Sequence, residues 1–206
     1  MEQTMFATKG NLLIAKNALK LSKQGYELLD KKRNILINEM MGLIDRAQEI
    51  QVQIDKTYTK AYAALQRANI SLGISTVKQI SQCVAIEDGV DVKYRSVMGV
   101  EIPEVTYTPG KAFSQYDIFT TSSRLDEAYV MFGRVKDLTI ELAGVENAVY
   151  RLAGNIKKTQ KRANSLKNIM IPRYERITAE IASALEEKDR EEFTRLKVIK
   201  RQAGEH

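Results

Sequence analysis

Side chains that support covalent or metal chemistry are scarce in this sequence. It has one cysteine, Cys83, and one histidine, His206, so an intramolecular disulfide, a histidine-based triad and a multi-histidine metal site are all excluded. Cys83 has no histidine near it in sequence to activate it, and we expect a buried or inert thiol. No glycine-rich phosphate loop occurs after Lys9 and Gly10. These absences predict a chain that is not an enzyme and that needs no cofactor and no metal.

Long apolar runs and prolines are also scarce. No run approaches the roughly 18 apolar residues of a membrane span, and the first ten residues lack the features of a signal peptide. We therefore expect a cytoplasmic chain with no direct membrane insertion. Proline occurs only at Pro103, Pro109 and Pro172, which leaves long stretches free to form helix.

Basic residues exceed acidic ones, with 32 Lys and Arg against 26 Asp and Glu and a net charge of +6. A nucleic-acid partner is one interpretation of this excess. The basic residues are scattered among acids, as on the solvated face of a helix, and no recognition motif accompanies them. We therefore expect no nucleic-acid partner.

The segment 10–79 contains no proline and carries a sustained heptad pattern. Spacings of three and four residues over about nine heptads are typical of a helix that supercoils with a partner, and such a helix would be roughly 100 Å long. Thr8 or Asn11 is its candidate N-cap, and we expect a kink or an end between Gly73 and Cys83. One register holds Leu12, Leu19, Tyr26, Met40, Ala47, Ile54, Ala61 and Ala68, and the other holds Ala15, Leu29, Leu36, Leu43, Ile50 and Ala64.

From residue 84 onward the apolar period changes to two. Val90, Val92 and Tyr94 alternate with charged residues, which predicts a half-buried strand. A turn at Met98 and Gly99 leads to a second strand, and the apolar phase shift after Pro103 predicts a bulge at Pro103 and Glu104 in an edge strand. Thr108, Pro109 and Gly110 predict a closing turn. The candidate contact residues of this hairpin are Val90, Val92, Tyr94, Val100 and Ile102.

A second heptad pattern begins after Ser122 or Ser123, either of which is a candidate N-cap. Pro172 is expected to kink or break this second helix, and the apolar stripe shifts after it. The insert is too short to bring the chain back for a parallel pair, so the two helices should be antiparallel. One register holds Ala128, Val135, Leu142, Val149, Ile156, Ala163, Met170 and Ile177, and the other holds Met131, Leu138, Val145, Leu152 and Leu166.

The predicted fold is therefore mainly α, a long antiparallel two-helix coiled coil with a small β-hairpin insert. We expect helices over 10–79 and 122–201, an insert over 80–121, and one elongated domain. Arg33 is the clearest polar break in the first stripe, and such residues often fix register. We expect it near residues 173–180, with Glu175 or Glu180 opposing its charge. For Gly25 and Gly42, a tolerated surface position and close approach of another chain are equally supported.

Shape leaves more than one function open at this stage. A rod inside a larger assembly is one. A chaperone of the prefoldin kind, which also pairs two helices around β-hairpins, is the alternative, although the helices here are longer than such a protein needs.

Residues 157–166 read KKTQKRANSL, and residues 171–175 read IPRYE. Together with four further blocks in order along the chain, this segment resembles the second helix of the D subunit of the V-type and archaeal A-type rotary ATPases. Gln160 departs from the family, which has arginine there, and residues 6–9 lack its proline. The other matching blocks are 23–33, 97–104, 123–128 and 185–197.

The resemblance implies a central-stalk rotor protein that is peripheral to the membrane and carries torque without catalysing a reaction. In that family both termini enter the catalytic head, formed by the A and B subunits. The hairpin end meets the small F subunit of the central stalk and the protein that links the stalk to the membrane ring. The head-contact candidates are Arg195, Lys197, Lys200 and Arg201, and the candidates for coiled-coil contact or register are Gly25, Arg33, Arg162 and Asn164.

Overall fold

The computed structural model describes residues 6–84, 89–108 and 121–203. The predicted turn at Pro109 and Gly110 and the side chain of His206 lie outside these residues. The secondary-structure elements are α1 (Lys9–Leu72), α2 (Ile74–Gln82), β1 (Val90–Val97), β2 (Val100–Tyr107), α3 (Ser123–Ser165), a π turn (Leu166–Met170) and α4 (Ile171–Ala203). The prediction of long helices around a small antiparallel hairpin is confirmed.

The ends of α1 follow from local chemistry. Thr8 is its N-cap, because the backbone N–H of Asn11 donates to Thr8 Oγ1 at 3.2 Å and that of Leu12 to the Thr8 carbonyl at 3.0 Å. The helix ends at Leu72, and Gly73 has a φ of 82°, a left-handed conformation that glycine adopts without a steric penalty. The predicted break between Gly73 and Cys83 is confirmed. Cys83 itself is exposed at the C-cap of α2, so of the expected buried or inert thiol the burial was wrong, and the inert thiol stays a prediction.

The chain divides into two compact units. Unit 1 comprises residues 1–34 and 157–206, and unit 2 comprises residues 35–156. In unit 1 the first part of α1 runs antiparallel to the end of α3, the π turn and α4. Two contacts show this by their opposite chain order: Lys23 Nζ lies 2.7 Å from Glu175 Oε1, and Arg33 Nη1 donates to Gln160 Oε1 at 2.8 Å. The buried residues of unit 1 are Ala15, Ser22, Thr159, Ala163 and Ile181.

Unit 2 packs α1 and α3 against each other, and its interior contains the larger side chains. One cluster consists of Leu36, Val100, Ile102, Ala148 and Leu152. A second joins Ala68 on α1, Val77 on α2 and Leu125 on α3.

The predicted heptad series of α1 matches its interior. Its buried residues all fall on the predicted stripe, including the polar break at Ser22. On α3, three buried residues lie off the stripe, because α2 covers Leu125 and the hairpin covers Gly144 and Ala148. The buried positions of α1 are Ala15, Ser22, Leu36, Ile50, Ile54, Ala61, Ala64 and Ala68.

The hairpin pairs β1 with β2 in an uninterrupted antiparallel register in which Tyr94 lies opposite Pro103 and Lys93 opposite Glu104. The predicted bulge at Pro103 and Glu104 was therefore wrong. Each strand of a two-stranded ladder has an unpaired edge, which accommodates proline without a change of register. Met98 and Gly99 form the turn with φ values of 50° and 76°, both positive as in the two-residue turns that match strand twist.

The two strands differ in burial. Val100 and Ile102 of β2 are buried against α1 and α3, whereas Val90, Val92 and Tyr94 of β1 are exposed. The expectation of a half-buried first strand was wrong, because the hairpin packs on the helices through β2.

Pro172 is accommodated by a wider helical turn rather than by a break in the helix. The backbone N–H of Ile171 donates to the carbonyl of Leu166, five residues earlier, which defines the π turn. Proline has no N–H to donate, and in a regular α-helix its ring would clash with the carbonyl four residues before it. The expected disturbance of the helix at Pro172 is thus a π turn directly before it.

Candidate interaction surfaces

The four predicted head-contact residues lie at the exposed end of α4. Arg195, Lys197, Lys200 and Arg201 are all exposed, and so are all other residues from 186 to 202. Large apolar side chains lie among them, with Phe193 70% and Leu196 65% exposed. This segment therefore offers both positive charge and unburied apolar area.

The register of unit 1 explains this exposure. Lys23 pairs with Glu175 and Arg33 with Gln160. In antiparallel helices the residue numbers of opposing residues have a nearly constant sum, and for these two pairs the sums are 198 and 193. Lys9, the first residue of α1, therefore lies opposite residues 184–189 of α4. Ile181 is the last buried side chain before that point. The remainder of α4 extends past the start of α1.

Arg33 is half-buried, and its contacts differ from those predicted. Its Nη1 donates to Gln160 Oε1 at 2.8 Å, and its Nη2 lies 2.6 Å from Asp30 Oδ1. The prediction that Glu175 or Glu180 would oppose Arg33 was wrong. Glu175 pairs with Lys23, and Glu180 lies 3.8 Å from Arg176.

Sequence reasoning missed Gln160 as the partner of Arg33, although it departs from the family pattern. Its amide nitrogen also donates to Asn164 Oδ1 at 2.9 Å. An arginine at position 160 would place a second positive charge beside Arg33 and would have no acceptor to offer. Two of the predicted register residues, Arg33 and Asn164, are thus joined through Gln160, whereas Arg162 is exposed.

The glycines separate into two kinds. A Cβ at Gly25 would lie 3.5 Å from Leu166 Cδ1, and one at Gly42 would meet nothing within 4 Å. Gly42 is therefore a surface position, whereas Gly25 faces Leu166 of the same chain at ordinary contact distance. Contact of Gly25 with another chain stays a prediction. Gly144 was not singled out from the sequence, yet a Cβ there would lie 2.8 Å from Val105 Cγ2. Its only sequence signal is the cost of glycine inside a helix.

The hairpin is held on the helices by polar contacts as well as by its buried residues. Arg95 forms an ion pair with Glu39. The guanidinium of Arg151 lies 5.2 Å from the ring centre of Tyr94, within the range of a cation–π contact, and donates to the Glu101 carbonyl at 3.4 Å. These contacts fix the hairpin while Val90, Val92 and Tyr94 remain accessible.

In unit 2, α1 and α3 are also joined by a surface ion pair. Arg46 Nη2 lies 2.7 Å and Nε 3.2 Å from Glu141 Oε1, and Glu49 is 3.3 Å from Nη1. The hydrogen bonds and charge of Glu141, followed by Glu49, raise the pKa of Arg46 above its ordinary value. Arg46 is therefore charged at neutral pH.

Residues 6–84, 89–108 and 121–203 contain neither a membrane-spanning helix nor a metal-binding group of side chains. No helix there combines the length and the apolar character needed to cross a membrane. No group of three or more His, Cys, Asp or Glu side chains is placed to hold a metal ion.

Comparison with known proteins gives a consistent match over nearly the whole chain. The ATP synthase D-subunit family matches residues 11–201. The V-type ATP synthase D subunit of Thermotoga neapolitana is 40% identical over 193 residues, covering 94% of this chain and 95% of that one. The A-type ATP synthase D subunit of Thermococcus kodakarensis is 36% identical over 196 residues, covering 94% and 92%. That of Methanobrevibacter smithii is 38% identical over 197 residues, covering 94% and 85%.

Proposed function

The chain belongs to the ATP synthase D-subunit family and is a stalk component of a V- or A-type rotary ATPase, and from this we propose that it is the central axle. In this role it transmits torque between the ATP-hydrolysing head and the membrane rotor ring and catalyses no reaction itself. The observation that carries the proposal is α1, a single helix of 64 residues whose buried side chains follow one heptad series. The chaperone alternative is not favoured, since the relatives are named as components of ATP synthases.

An axle must resist bending and twisting. Continuous backbone hydrogen bonds stiffen a helix along its length, and heptad packing holds the second helix to it. The breaks in the helices are local: Gly73 lies after α1, and the π turn keeps α3 and α4 in one helical run. This construction suits torque transmission better than a chain of domains joined by linkers.

The proposed contact with the A and B subunits of the head is made by the end of α4, together with the start of α1. Arg195, Lys197, Lys200 and Arg201 extend past the start of α1 and are exposed. Their charge favours acidic side chains on the partner, and the apolar residues beside them favour an apolar wall.

The hairpin is the proposed contact for the other stalk partners. Val90, Val92 and Tyr94 form an exposed apolar row on a strand that is fixed through β2. The F subunit and the protein that links the stalk to the ring are the proposed partners at this end. The complex as a whole would hold the chain on the cytoplasmic side, peripheral to the membrane.

Charge reversal at the terminus tests the head contact. We expect Lys200→Glu with Arg201→Glu to lower recovery of the chain with the head, and to slow ATP-driven rotation of the reconstituted complex. Lys56→Glu with Lys60→Glu is the matched control, because both are exposed lysines of α1 in unit 2. Unchanged recovery and rotation in the terminal variant would contradict the proposed contact.

A further inference from the structure

A second series of apolar residues at heptad spacing lies on α1 within unit 1. Ile14, Leu21 and Leu28 are seven residues apart and are 56%, 71% and 67% exposed. The residues that follow the first two, Ala15 and Ser22, are buried. Successive residues are about 100° apart around a helix, so the series lies outside the interior of the helix pair.

Small residues complete this series. Ala18 and Gly25 lie between the large ones, which gives spacings of four, three, four and three from Ile14 to Leu28. Both are partly buried, and the missing side chain of Gly25 leaves α1 in close contact with Leu166. Beyond Leu166, Ile169 of the π turn is 61% exposed. The surface is therefore an apolar seam with a floor of small residues, and it is called the outer seam below.

The charges nearest to the small residues of the outer seam have one sign, and the carboxylate of Glu27 lies about 100° around α1 from Leu28. On α1, the series continues after Leu28 with Lys32, and the positions that precede Ala18, Gly25 and Lys32 are Asn17, Gln24 and Lys31. No carboxylate occurs at these positions. On the opposite helix, Arg162 is exposed seven residues before Ile169. A partner with acidic side chains beside an apolar stripe is complementary to this arrangement.

We propose that the outer seam binds a third α-helix, contributed by another protein of the complex, with an apolar stripe at three- and four-residue spacing and acidic flanks. A seven-residue repeat stays on one side of a supercoiled pair, whereas it drifts around a straight helix. A helix with the same period can follow the pair and contact all three large residues. The inference rests on the proposed function in one respect: the third helix is expected to come from another protein of the same complex.

Photo-cross-linking of the assembled complex tests the proposal. p-Benzoylphenylalanine is introduced at position 21 or 28 of the full chain, and the ATPase complex is purified, irradiated and digested for mass spectrometry. Position 52 is the matched control, because Val52 is 51% exposed on the same helix but belongs to unit 2, away from the seam residues and the start of α1. We expect positions 21 and 28 to react with one helical segment of one partner protein, at residues about seven apart.

A second measurement uses substitutions. Leu21→Glu and Leu28→Glu should each weaken binding of the chain to the rest of the complex on the order of 30-fold, as for a central interface residue, and Val52→Glu should leave it unchanged. Circular dichroism should show all three variants folded, because the substituted side chains are exposed.

The outcomes separate this inference from the proposed function. Cross-links to scattered loops, to a second copy of this chain, or equally from position 52 overturn the proposed third helix but do not affect the proposed function. Absence of the unmodified chain from the purified complex overturns the proposed function and the inference together. Unchanged binding of both seam variants overturns the inference alone.

Discussion

The two units of the molecule differ in charge and in what they bury. Unit 1 carries 20 Lys and Arg against 11 Asp and Glu, and unit 2 carries 12 against 15. The largest fully buried side chains, Leu36, Ile50, Ile102 and Leu152, all belong to unit 2, whereas the buried polar residues Ser22 and Thr159 belong to unit 1. Unit 2 therefore supplies most of the stabilising burial, and unit 1 keeps apolar and basic side chains available for partners.

The largest expected effect comes from opening the interior of unit 2. Leu152→Ala removes a fully buried side chain from the cluster under the hairpin and should lower the free energy of unfolding by about 2–5 kcal/mol. Leu21→Ala is the control in unit 1, where the leucine is exposed, with an expected change within about 0.5 kcal/mol. Urea unfolding followed by circular dichroism measures both, and equal losses would contradict the contrast between the units.

A smaller effect is expected where the hairpin meets α3. Gly144→Ala would place a Cβ 2.8 Å from Val105 Cγ2, and the resulting displacement should cost about 1–3 kcal/mol. Gly154→Ala on the same helix meets nothing within 4 Å and should stabilise by up to about 1 kcal/mol through helix propensity. If thermal unfolding showed stabilisation in both variants, the hairpin would not be held tightly at Gly144.

The smallest effects compare two arginines, one in each unit. Arg33→Ala removes half-buried hydrogen bonds to Gln160 and Asp30 in unit 1 and should cost about 1–2 kcal/mol. Arg46→Ala in unit 2 removes a more exposed pair and should cost less than Arg33→Ala, with a loss that fades in high salt. A larger loss for Arg46 than for Arg33 would reverse this order.

The pH dependence of the Arg46 contribution follows from its raised pKa. A base whose folded pKa lies above its unfolded value contributes fully below the unfolded value, and the contribution is lost only as pH rises through the folded one. For arginine both values lie far above neutrality. The difference between the wild-type chain and Arg46→Ala should therefore stay constant from neutral to mildly alkaline pH.

The sequence predicted the helices and the hairpin because their signals are local. Heptad spacing marked every buried residue of α1, and Met98 and Gly99 marked the turn. The pairing register was not predictable, because a uniform stripe packs in more than one register and only specific contacts choose between them. Arg33 was therefore assigned to the wrong part of the second helix, and its partner Gln160 was missed.

Burial by elements distant in sequence was the other part that the sequence did not predict. Gly144 and Ala148 lie off the heptad stripe of α3 and are buried because the hairpin covers them. The same packing explains why β2, rather than β1, is buried. The expected burial of Cys83 was wrong for the same reason. Its exposure depends on which face of α2 is covered, and that is a property of the tertiary structure.

The π turn before Pro172 sets the rotational phase of everything that follows it in unit 1. One residue more or less in a helix rotates all later side chains by about 100° around the axis. Deleting one residue from Leu166–Met170 would therefore turn Ile181 away from the interior and carry the basic residues near the end of α4 to a different side. The π turn and Pro172 thus determine the direction in which the basic residues near the end of α4 face.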